Sequence, residues 1–249
     1  MNVFSNLLDG SDTALQVVLF VLLIRAGALR KYTTFSIYIA GSVAADVLQR
    51  VAERQFGWRS ASYRQVWWTD QIALDVLLFL VIIALTYQTL GNNPHRAKAG
   101  KALGAIGLAV LALPFALLPS HNSATHGSFT SQWFNHASQI LNFGAAIMTL
   151  VLWTALLLNR RGRDQRLVTL SIGLGLATTS AAVLWGVRRW ITAENRELVD
   201  GFTVLVHLAA LLIWCWAFRS KGPSTGGGGV PPSGASPTTA PPSEVVTAR

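Results

Sequence analysis

Runs such as Val76–Leu85 and Leu205–Trp216 are apolar nearly throughout, and this feature most restricts what the chain can become. Inside hydrocarbon every backbone N–H and C=O must be satisfied by the backbone itself, which leaves helices and closed barrels. Barrel strands alternate at period two over short segments. These runs do not alternate, so they read as helices. A bilayer core takes about 20 helical residues to cross. Seven segments meet that need, at roughly 13–31, 33–52, 68–90, 101–119, 132–158, 166–188 and 200–219. Composition points the same way: 51% of the 249 residues are hydrophobic and only 12% are charged. A soluble fold could not hide so much apolar side chain without large exposed patches. The expected fold is therefore all-α, a polytopic transmembrane bundle of about seven helices, with residues 1–12 as a short extracytoplasmic N-terminus. Residues 220–249, rich in Gly, Pro, Ser and Thr, cannot bury enough apolar area to fold and are expected to form a disordered cytoplasmic tail.

Loop charge gives an orientation. Arg30 and Lys31, then Arg96, Lys98 and Lys101, then Arg160, Arg161, Arg163 and Arg166 fall on one side with the start of the tail. The loop at 120–131 on the other side has no Lys or Arg. The positive-inside rule then puts the N-terminus outside and the C-terminus in the cytoplasm of an inner-membrane protein. Asp9 and Asp12 precede the first apolar run, the reverse of a secretory signal peptide. The net charge of +9 is spread as topology determinants rather than as a nucleic-acid surface, so the expected partner is the lipid bilayer. A membrane-protein partner or a homo-oligomer stays open. Of the nine Trp residues, Trp58, Trp67, Trp68, Trp133, Trp185 and Trp190 map near the outer boundary, as an aromatic belt or as the wall of a ligand site. Pro114 should kink the fourth helix. Gly100, Gly104 and Gly107 offer it a close-packing face.

Ionisable groups within a membrane are functional candidates by default. Asp46 and Arg50 lie four apart on helix two, and Asp70 and Asp75 lie on helix three. His136, Gln139 and Asn142 lie on helix five, and His207 on helix seven. All map to the outer half, where they would either line an outward-facing ligand pocket or make interhelical hydrogen bonds. Asp75 and His207 are expected to approach each other, as a proton-sensitive pair or as a packing contact. No cofactor is predicted. His136 and His207 as haem ligands, or with Asp75 as metal ligands, are the alternatives. No nucleophile–base pair or metal motif of credible spacing is present, so a non-enzyme is expected.

Arg30-Lys31-Tyr32 followed by Phe35, then Tyr63, Trp67 and Asp70, then Thr86-Tyr87-Gln88 before a basic loop containing Pro94, carry a resemblance. Over residues 25–101 the chain resembles a family of uncharacterised bacterial seven-helix integral membrane proteins. The resemblance implies the seven-helix topology and no chemistry. Where this chain has Gln88, that family is expected to carry an acid. In topology alone the chain is also similar to the seven-helix input modules of bacterial sensor kinases. Together these readings favour a sensory or accessory membrane module, with a small-solute or ion transporter as the alternative and a haem- or metal-binding redox protein as the third.

Overall fold

The computed structural model describes residues 3–91, 96–116, 131–158, 164–187 and 196–219. The tail, the loop at 117–130, Pro94, Trp190 and the Arg160, Arg161 and Arg163 cluster lie outside the described residues, as does the side chain of Trp185. All regular structure among the described residues is helical: α1 (Val3–Arg25), α2 (Thr33–Phe56), α3 (Ala61–Thr89), α4 (Arg96–Ala116), α5 (Ser131–Leu158), α6 (Gln165–Val187) and α7 (Arg196–Arg219). Five of them, α3 to α7, are long and apolar enough to cross a membrane. α1 and α2 are not among these five; α2 holds Asp46, Arg50, Glu53 and Arg54. Leu108, Ile147, Leu157, Leu158 and Trp216 each expose more than half of their surface. Such a surface suits a lipid solvent and would aggregate in water.

Capping chemistry sets several boundaries that the apolar runs do not. α1 begins ten residues before the expected span, so Asp9 and Asp12 lie within the helix. It also ends earlier, at Arg25. There Gly27 takes φ 61°, Gly27 N–H donates to Ile24 O and Ala28 N–H donates to Leu23 O. That pair of bonds is the Schellman stop, which needs a left-handed residue that glycine supplies without strain. α3 begins at Ala61, seven residues before the expected span, because the Ser60 hydroxyl caps it by accepting from Tyr63 N–H at 3.0 Å. Gly57, at φ 75°, closes α2 just before it.

The helices close a ring in the order α1, α2, α3, α5, α6, α7 and back to α1, and α4 packs outside it across α3 and α5. Phe35, Phe79, Leu170, Leu174 and Trp214 are fully buried within the ring. Phe35 meets Trp214 edge-on at 5.1 Å between ring centres, and Tyr38 meets the same indole at 6.3 Å. Phe218 continues the cluster to Tyr32 at 5.8 Å. Helix association in lipid depends on close packing and hydrogen bonds rather than on hydrophobic transfer, and α6 uses both. Its Gly173 and Gly175 leave room for the indoles of Trp214 and Trp153, one from each neighbouring helix. Trp214 Nε1 donates to Leu170 O at 3.2 Å and Trp153 Nε1 to Ser171 O at 3.1 Å. On α4, Gly107 lies against Ile83 and Gly100 against Tyr87, whereas Gly104 faces open space. Pro114 lies inside α4, and its carbonyl accepts from Trp133 Nε1 at 3.0 Å. Trp67, Trp68, Trp133, Phe115 and Phe134 make one contiguous ring cluster over α3, α4 and α5.

Candidate functional site

Polar side chains gather midway along the ring helices in two groups. The first joins α1, α2 and α7. Asp12 and Gln16 lie four apart on α1, and Gln16 Nε2 donates to Asp12 Oδ2 at 2.8 Å. The other carboxylate oxygen, Asp12 Oδ1, lies 3.5 Å from His207 Nε2 of α7. Thr13, beside Asp12, donates through Oγ1 to Asp46 Oδ2 at 2.7 Å and accepts from Arg50 Nη2 at 2.7 Å. One threonine hydroxyl thus links the Asp46–Arg50 pair of α2 to α1. The second group joins α3 and α5. Asp75 is buried at 7% exposure, and its Oδ1 accepts from Gln71 Nε2 at 3.2 Å. Ser138 and Asn142 of α5 flank the same carboxyl. Asn142 Nδ2 donates to Ser138 O at 2.8 Å. Asp75 Oδ2 and Ser138 Oγ are both buried without a hydrogen bond of good geometry. Tyr38 of α2 is buried, and both Asp75 and Asp12 act on it electrostatically.

His207 therefore takes Asp12 of α1 as its near carboxylate, in place of the expected Asp75. The reason is topological: α1 packs directly on α7, while α3 and α7 are not neighbours in the ring. Asp70 is half-buried beside Gln49 of α2. Gln139 is half-buried on α5, and His136 of the same helix is exposed. Among the described residues no three His, Cys, Asp or Glu side chains come together as a metal-sized cluster. The sequence reading passed over Asp12, Thr13, Gln16, Tyr38 and Ser138. A signal for the α1 residues was present, because Asp9, Asp12, Thr13 and Gln16 recur at helical spacing before the apolar run.

Beyond Tyr38, toward the Lys31 end, the interior changes character. Phe35, Phe79, Ile82, Leu85, Leu152, Leu170 and Trp214 fill it, each at 1% exposure or less. The buried hydroxyls in that half turn back on their own helices. Ser36 donates to Tyr32 O, Thr86 to Ile82 O, Thr89 to Thr86 O, Thr149 to Ala145 O, Thr169 to Gln165 O and Ser171 to Val168 O. Their protons go to carbonyls of their own helices, and one pair of hydroxyls, Thr149 and Thr178, also meets across α5 and α6 at 3.2 Å.

At the Lys31 end a clasp joins segments far apart in sequence. Asp164 Oδ2 accepts from Lys31 Nζ and from Tyr32 Oη, each at 2.6 Å, and Asp164 Oδ1 accepts from Arg166 N–H at 3.0 Å. Burial pushes the Asp164 carboxyl up, but the bonds from Lys31, Tyr32 and the Arg166 amide outweigh it and hold the group below the usual carboxylate range. Burial, then the bond to Asp164, pushes the Tyr32 phenol above its ordinary value. Gln88 Nε2 donates to Lys31 O at 3.1 Å. An acid at position 88 could not make that bond, since an ionised carboxylate has no donor. Comparison with family models, curated proteins and solved structures gave no match to this chain.

Proposed function

We propose that the chain is a sensory or accessory membrane module of seven spans, with its N-terminus outside and its C-terminus in the cytoplasm. In this reading α1 and α2 cross the membrane beside the five apolar helices, their charges turned to each other and to α7. The polar groups around Asp12, Asp46, Asp75 and His207 receive a small ligand or ion from the outer side. One observation carries the preference for receiving over conducting: among the described residues the core beyond Tyr38 is aromatic and aliphatic, and its buried hydroxyls donate to carbonyls of their own helices, with Thr149 and Thr178 meeting across α5 and α6. A transporter needs polar groups or broken helices that continue the path through the midplane. The same plug gives a route for a signal, because Tyr38, Trp214, Phe35, Phe218 and Tyr32 touch in series and end at the Asp164 clasp.

Amide hydrogen exchange on the purified protein tests the coupling. Asp12→Asn should speed exchange of the Tyr32 and Ser36 amides, which bond to Ala28 O and Tyr32 O. Faster exchange around Asp12 with no change at Tyr32 and Ser36 would mean that the two ends are independent, and the sensory reading would fail.

A further inference from the structure

Between α3 and α4 lies a groove of about 630 Å³, within the range of small-molecule sites. Both of its walls belong to helices apolar enough to span a membrane. Leu80, Ile83, Ala84 and Leu103 make its apolar wall. Gly104 lines it, exposed and with no heavy atom within 4 Å of where a Cβ would stand, so the groove is open along this position. Its composition changes along its length. Tyr87, Thr34 and Lys101 stand at the mouth, level with the end of α3, and Leu80 is seven residues deeper, about 10 Å at the helical rise.

The charge at the mouth is one-sided. Arg96, Lys98 and Lys101 occupy the first two turns of α4, which contains no acid. Cations at a helix N-terminus oppose the helix dipole, so helix stability does not account for them. Lys101 is exposed and has no carboxylate partner among the described residues. Arg96 lays its guanidinium over the Tyr87 ring at 4.5 Å, at the same mouth. An occupant suited to it is anionic at one end and aliphatic at the other, and arrives from the bilayer. We infer that the α3–α4 groove is a binding site for an anionic phospholipid, its headgroup phosphate at Lys101 and Arg96 and one acyl chain along Gly104 toward Leu80. Basic pockets between membrane helices are the recurring form of such sites.

Native mass spectrometry of the full-length protein, released from detergent with added phosphatidylglycerol or phosphatidylcholine, tests the assignment. Phosphatidylglycerol should be retained several-fold better than phosphatidylcholine. That retention should drop several-fold both in Lys101→Gln, which removes the mouth charge, and in Gly104→Leu, which puts a side chain into the groove. Lys101 is exposed, so its variant reads the site even if the leucine disturbs the helix. Equal retention of the two lipids, or retention of phosphatidylglycerol unchanged in Lys101→Gln, would overturn the inference. A dimer that dissociates in Gly104→Leu while lipid retention stays constant would also overturn it, by assigning the groove to a second copy of the chain.

Discussion

Asp164 stands in sequence between Arg163 and Gln165, a lone acid in a basic stretch, and nothing in that placement says that it organises one end of the ring. Its role comes from Lys31 and Tyr32, more than 130 residues away. The pH dependence follows from the direction of its shift. A carboxyl held below its ordinary value stabilises the fold above the unfolded pKa, near about 3.9, and loses that contribution as pH falls through the folded value. Thermal unfolding in detergent should therefore show a loss of stability below about pH 4 that is absent from Asp164→Asn. At neutral pH that variant should cost on the order of 1 kcal/mol, because Lys31 is mostly exposed and its ion pair is screened. At the other end, sequence alone placed Asp46, Arg50, Asp75, Asn142 and His207 among the candidates. The partners of these residues were not legible. Thr13 as the link between Asp46 and Arg50, and Asp12 as the neighbour of His207, depend on which helices touch, and no local pattern encodes that.

At the level of elements, seven helices were readable because each apolar run is longer than any soluble core helix needs. The boundaries that were misread are those set by capping. The sequence Arg25-Ala26-Gly27-Ala28 holds the stop of α1, yet hydrophobicity continues past it into Leu29. Gly27→Ala should destabilise the protein by about 1 kcal/mol or more, since a Cβ is strained at positive φ. Differential scanning measurements on the two proteins would show it as a lower melting temperature. A sharper test concerns α6. A methyl at Gly173 would run into the Trp214 indole. Gly173→Ala should cost about 1–3 kcal/mol by overpacking. Combining it with Trp214→Leu should recover part of that loss in a double-mutant cycle, as expected for residues in contact. Additive losses would show that the glycine has no bearing on the indole. Trp153 and Trp214, like Trp133, each donate their indole N–H to a carbonyl on a neighbouring helix.

For the whole molecule, the ring order and the outlying position of α4 emerge only in three dimensions, because α3 packs more extensively on α5 than on its sequence neighbour α4. The proposed topology makes a simple demand. Reporter fusions at Ser123 and Thr225 should report opposite sides of the membrane, and the same side for both would remove the seven-span arrangement. The central claim, that the polar groups receive but do not conduct, is tested most directly by flux. Purified protein in liposomes, assayed with a pH-sensitive dye for protons and with radioactive sodium for Na⁺, should show no flux above protein-free vesicles, because among the described residues the core between Tyr38 and the Asp164 clasp is mostly aromatic and aliphatic. Flux of either ion above that background, abolished by Asp75→Asn, would contradict the account and make the chain a transporter.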